Sequence, residues 1–220
     1  MREKNSVLPA DKADLETLKD IRQLMEKSSR FISLSGWSGI AAGVCALLGI
    51  YLARVKIGCW KIDDCLFPRL LQEGGGILQN HLFVIAAGTF ASAFILAFLF
   101  TWMRSKKDNV PLWGPVARRL MWSVAGTIIV GGVFLYNMIE LKQYQLIAPG
   151  CLLFYGLALV NASKYTLSEV RYLGYAEIGM GLISCWMTGY GLYFLAAGFG
   201  ILHIFYGIIM WSKYERRKAG

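Results

Sequence analysis

Charge is scarce in this chain. Asp, Glu, Lys and Arg make up 17% of its 220 residues, while 56% are hydrophobic; a soluble domain carries about 25% charged residues. The deficit is gathered into long runs that hold none of the four. Runs of about 18 or more such residues belong in hydrocarbon, as helices that satisfy their own backbone hydrogen bonds. Catalytic patterns are missing as well. There is no HExxH, no phosphate-cradling P-loop, no Cys/His metal cluster and no carboxylate-rich loop, so no metal, cofactor or catalytic residue is expected. A cleavable signal peptide is not expected, because Met1 to Arg30 is dense in charge and carries no hydrophobic stretch behind its first basic residues. The first span should therefore be its own uncleaved anchor.

What is present reads as an all-α, polytopic bundle of six transmembrane helices. The spans are expected at about 31–53, 81–102, 120–138, 144–160, 172–187 and 191–211, together a membrane domain over 31–212, followed by a basic tail at 213–220. Residues 1–30 read as a cytoplasmic amphipathic helix. Pro9 and Asp11 suit its start, and Leu15, Leu18, Ile21 and Met25 form an apolar stripe at spacings of three and four. That stripe suits packing on the membrane surface or on the bundle's own loops, or docking a partner. It is too short for a coiled coil.

The net charge of +9 does not argue for nucleic acid, because its distribution follows the membrane. Residues 1–30 hold seven basic and six acidic side chains and are nearly neutral. With the N-terminus inside, 18 Lys/Arg fall on the cytoplasmic side and five outside (Arg54, Lys56, Lys61, Arg69 and Lys142), as the positive-inside bias requires. Trp102, Trp113, Trp122 and Trp211 then fall at the inner boundary, where indoles prefer to sit. Both termini are thus expected in the cytoplasm of a bacterial-type inner membrane, with anionic lipid attracting the basic loops.

Three helical hairpins of common design are suggested by recurring segments. Phe154-Tyr155-Gly156 and Phe205-Tyr206-Gly207 each precede Ser-Lys-Tyr, Ala86-Ala87-Gly88 matches Ala196-Ala197-Gly198, and Arg30, Arg119 and Arg171 each precede an odd span. Chance similarity among apolar segments is the competing explanation. Glycines within the spans, Gly39 and Gly43 among them, suit close helix approach.

Few side chains could carry chemistry. Glu177 and His203 are the ionisable residues set well inside spans, where such groups are costly and are functional candidates by default. At 1.5 Å per residue they lie about 7–8 Å and about 12 Å from the inner boundary. The pair could relay protons, bind a cation or simply clamp two helices, and Glu177 could alternatively reach Arg171. Cys59 and Cys65, separated by five residues in the outer loop, are disulfide candidates on an oxidising side. Cys45, Cys151 and Cys185 lie within spans and read as packing residues. Gly36-Trp37-Ser38-Gly39 resembles the serine motif of rhomboid intramembrane proteases, with His203 at similar depth. In that family, however, the serine lies on the fourth core helix and the site opens outward, which puts a hydrolase through Ser38 in doubt.

The segments Met25-Glu26-Lys27-Ser28-Ser29-Arg30-Phe31-Ile32-Ser33-Leu34-Ser35-Gly36, Leu173-Gly174-Tyr175 and Gly200-Ile201-Leu202-His203-Ile204 resemble a family of uncharacterised bacterial six-helix membrane proteins. Members are encoded beside a small winged-helix regulator, so the resemblance implies a regulatory protein partner. The plan is also loosely similar to acid-resistance membrane proteins, by architecture alone. Together these features lead us to expect a non-enzymatic sensor, scaffold or complex subunit acting through partners, with self-association also open. The alternative is a small proton- or ion-coupled transporter using Glu177 and His203.

Overall fold

Apolar segments that must satisfy their own backbones have formed helices throughout. The computed structural model describes residues 35–58, 75–107 and 113–215, and 89% of what it describes is helical, with no strand. The helices are α1 (Gly36–Ile57), α2 (Gly75–Lys107), α3 (Pro115–Glu140), α4 (Ile147–Ala162, led in by a 3₁₀ turn over Tyr144–Leu146), α5 (Glu169–Trp186) and α6 (Gly191–Tyr214). Five of these, all but α5, are long and apolar enough to cross a membrane. The sixth, α5, is 18 residues long and carries Glu169, Arg171 and Glu177. Those three charges set it apart from its neighbours.

Helix ends obey local chemistry. Arg54 and Lys56 fall in the last turn of α1 rather than in a loop, where cations favour the helix C-terminus. The helix then stops at Gly58, whose φ of 88° lets its amide return to the Arg54 carbonyl at 2.7 Å. Pro115 opens α3 at a position that needs no amide. Gly189, at φ 87°, turns the chain tightly between α5 and α6. Several boundaries differ from expectation: α2 extends past both ends of 81–102, α3 begins at Pro115 rather than 120, and α5 begins at Glu169, before Tyr172. Polar residues at an apolar run's margin still have helical neighbours to bond, so the helix outruns the hydrophobic stretch.

The bundle is assembled around two glycine-lined crossings. In the first, α4 packs on α5: a Cβ at Gly156 would lie 2.7 Å from the Gly174 carbonyl oxygen and 2.8 Å from Ile178 Cγ1. In the second, α6 packs on α1: a Cβ at Gly207 would lie 2.6 Å from the Gly36 carbonyl oxygen and 2.8 Å from Ile40 Cγ1. Both approaches are too close for any side chain. One turn pair further on, Gly181 faces Leu153 and the Pro149 carbonyl, while Gly43 faces Ile204 and the Gly200 carbonyl. The two crossings therefore match position by position. Helix α2 packs on α1 and α3 on α4, and both turn large apolar side chains outward, such as Phe83, Phe90, Ile129 and Val133.

One end of the bundle gathers basic side chains. Gly36 at the start of α1 lies by Trp211 of α6, Asn161 near the end of α4 bonds the Ser123 carbonyl in the first part of α3, and Lys213 of α6 pairs with Glu169 at the start of α5. Arg118, Arg119, Lys164, Arg171 and Lys213 belong to these same helix ends.

Candidate functional site

The arrangement of polar groups inside the bundle starts from a glycine. At Gly198 a Cβ would stand 2.5 Å from both Glu177 Oε2 and Leu152 Cδ2, so the missing side chain makes room for a carboxyl group. Glu177 occupies that space from α5 and is wholly buried. Around Gly198, α6 widens into a π-helical stretch over Ala196–Leu202, a local irregularity frequent at functional sites. This geometry sets the Gly198 carbonyl opposite the side chain five residues on, His203.

His203 is the hub. Its Nδ1 lies 3.1 Å from the Gly198 carbonyl oxygen and 3.4 Å from Glu177 Oε1, and its Nε2 lies 2.7 Å from the Tyr155 hydroxyl on α4. A carbonyl only accepts, so Nδ1 carries the ring proton and donates it. With the imidazole neutral, Nε2 accepts from the Tyr155 hydroxyl. A second proton on Nε2 would reverse that bond, the hydroxyl oxygen then accepting. Phe199 closes the site, its ring edge-on to Tyr155 at 5.1 Å. Three helices thus meet through one imidazole.

Neither Glu177 oxygen receives a hydrogen bond in this arrangement. A buried carboxyl group without donors is costly, and the cost rises if it is charged. Leu152, also wholly buried, packs beside it. Arg171, the other base considered for Glu177, instead donates from Nε to Ser163 Oγ at 3.3 Å.

No protein-family model matches the chain, and no curated protein or solved structure matches it either.

Other candidates fall elsewhere. Ser38 is buried and donates its hydroxyl proton to the Ser35 carbonyl at 2.5 Å, while both His203 nitrogens face other groups, so the serine–histidine pairing of a hydrolase is not formed. Cys45, Cys151 and Cys185 are free thiols. Among the described residues no three His, Cys, Asp or Glu side chains come together as a metal site. Cys59 and Cys65, and the stripe of Leu15, Leu18, Ile21 and Met25, lie outside the described residues.

Sequence reasoning overlooked Tyr155 and Gly198 as partners of the polar pair. Tyr155 was visible only as part of a repeated tripeptide; a hydroxyl in an apolar span, in a tripeptide repeated on the histidine's own helix, was the signal available. A second polar cluster was also overlooked. Glu169 Oε1 accepts from Lys213 Nζ and, at 2.9 Å, from the Tyr214 hydroxyl, tying the start of α5 to the end of α6. Partial burial pushes the Glu169 carboxyl up, but the Lys213 and Tyr214 hydrogen bonds outweigh it and hold it below its ordinary value.

Proposed function

We propose that the protein is a multi-pass protein of a bacterial-type cytoplasmic membrane that acts without catalysis, as a sensor, scaffold or complex subunit working through partners. In this reading α5 is a sixth span, kept in the membrane by its neighbours rather than by its own hydropathy. The helix ends bearing Arg118, Arg119, Lys164, Arg171 and Lys213 face the cytoplasm, in keeping with the positive-inside bias, and both termini lie on that side. Residues 1–30 supply an amphipathic docking helix, and the spans form three hairpins of common design, for which the two matching crossings are support.

The observation that carries the reading is the inward bonding of the polar cluster. His203 bonds Tyr155 of α4 and its own Gly198 carbonyl, with Glu177 of α5 3.4 Å from its Nδ1, between helices whose glycines bring backbones into contact. Such a cluster fixes helix positions and gives a rigid platform. Gentle solubilisation followed by affinity purification tests it. A stoichiometric protein partner should co-purify with the full chain and be lost when residues 1–30 are removed; recovery of the chain alone in both cases would refute the proposal.

A second reading is favoured by the two unbonded oxygens of Glu177: a small proton- or ion-coupled carrier in which that carboxyl and the reversible Tyr155–His203 bond pass a proton. In proteoliposomes holding a pH-sensitive dye, E177Q and H203A should each abolish ion-driven proton movement. Wild-type rates in both variants would remove this reading.

A further inference from the structure

The described residues also form an open cavity of about 560 Å³, lined by Pro115, Arg118, Arg119, Trp122, Ser123 and Tyr165. It lies between the first turns of α3 and the turn after α4, where the Asn161 amide holds the Ser123 carbonyl at 3.4 Å. It is separate from the Glu177–His203 cluster. Its walls carry two guanidinium groups, two hydroxyls and an indole, and no acid. Among the described residues neither Arg118 nor Arg119 makes an ion pair or hydrogen bond with another side chain.

Position adds to composition. Arg119 is the last charged residue before the apolar body of α3, whose next charge is Glu140. Trp122 stands one turn deeper and is 73% exposed, a placement that suits an indole at the boundary between headgroups and hydrocarbon. Further apolar side chains of α3, Met121 and Ile129 among them, are exposed. Guanidinium forks match phosphate oxygens in a bidentate way. The Tyr165 and Ser123 hydroxyls can donate to the remaining oxygens.

We propose that this cavity binds the phosphate headgroup of an anionic phospholipid, with Arg118 and Arg119 clasping the phosphate, Tyr165 and Ser123 at its edge, and the acyl chains lying against Trp122 and the outer face of α3. The proposal rests on the membrane reading above and gives it a specific lipid partner, independent of any protein partner or transport activity.

Full-length protein, delipidated in detergent, is titrated with phosphatidylglycerol and with phosphatidylcholine, and bound lipid is read by native mass spectrometry. Phosphatidylglycerol should bind preferentially. Near a membrane surface each basic side chain contributes about a fivefold factor, so R118Q and R119Q should each lose about fivefold and the double variant about 30-fold. Removing two charges elsewhere, at Lys106 and Lys107 (K106Q/K107Q), should leave the preference in place, and an unchanged thermal transition shows that the double arginine variant is folded. An equal loss in K106Q/K107Q, or undiminished binding in R118Q/R119Q, would overturn the proposal. Competition by millimolar inorganic phosphate would overturn it too, since the ligand would then be a free anion. A chain that stays monodisperse without detergent would instead overturn the membrane reading itself.

Discussion

The two glycine crossings are built alike, yet only one of them holds a titratable cluster. Taking Gly36 with Gly174 and Gly207 with Gly156 as matched positions, Ile40 matches Ile178, Gly43 matches Gly181 and Tyr206 matches Tyr155. The departures come where the polar groups sit. Gly39 on α1 stands where α5 has Glu177, and Leu152 on α4 stands where α6 has His203. Tyr155 therefore finds an imidazole, whereas the buried Tyr206 hydroxyl finds no partner. A common packing solution tolerates a polar cluster in one copy and does without it in the other, so the cluster is not needed merely to cross two helices.

The backbone contact should dominate. G156L or G174L in the first crossing, and G207L in the second, would drive a side chain into a carbonyl within 3 Å, and overpacking of this kind costs about 1–3 kcal/mol or more. Loss of folded, monodisperse protein in detergent, followed by size-exclusion and thermal unfolding, should be comparable for all three. Tolerance of G207L beside collapse of G156L would break the equivalence.

The next effect separates the crossings. H203L places in α6 the residue type that α4 carries at the matched position and strands Glu177 without its one basic neighbour. Leaving a buried polar group without its polar neighbour costs about 1–3 kcal/mol, whereas replacing both by apolar groups of similar shape is often near neutral. The single variant should therefore lower the thermal midpoint sharply, and the double variant E177A/H203L should regain most of the loss. Equal losses in single and double variants would mean that Glu177 and His203 do not act as a pair.

The matched tyrosines give a smaller contrast. Y155F removes the donor to His203 Nε2 and should cost about 0.5–1.5 kcal/mol, towards the low end within a membrane. Y206F removes a buried hydroxyl that bonds nothing and should leave stability unchanged or slightly raised. A larger loss in Y206F than in Y155F would show that the second crossing hides a polar contact of its own.

How much of this was legible beforehand depended on the kind of signal. Long uncharged runs mark α1, α2, α3, α4 and α6 directly, because a solvent preference is a sum over many residues. Helix α5 was recognisable as a helix, but its three charges keep it from the same standard. Glu177 and His203 stood out because a lone ionisable group in an apolar run has few neighbours of its kind. Tyr155 did not, because its role depends on a partner 48 residues away and on the π-helical widening at Gly198, neither of which has a periodic signature. The repeated Phe-Tyr-Gly tripeptide was visible, but that its glycines meet Gly174 and Gly36 on two different helices was not. In the sequence Arg118 and Arg119 are only two of the 18 Lys/Arg expected on the cytoplasmic side, since adjacent arginines say nothing of a cavity walled by Tyr165.

The smallest effect is the salt- and pH-dependent tie at the bundle's basic end. Glu169 joins α5 to α6 through Lys213 and Tyr214, whereas Arg171 donates to the Ser163 hydroxyl at the end of α4. The Glu169 carboxyl is held below its ordinary value of 4.5. A depressed carboxyl stabilises the fold fully above that ordinary value and loses the contribution as pH falls through the folded one. Lys213 is half exposed, so the tie is weak and should weaken further with salt. Thermal midpoints in detergent should therefore fall as pH drops below the ordinary carboxyl value of 4.5, and E169Q should flatten that slope while leaving the near-neutral midpoint only slightly lower. If the E169Q profile kept the full acid slope, the titration would belong to another carboxyl, and the basic end of the bundle would be held by packing at Gly36 and Trp211 instead.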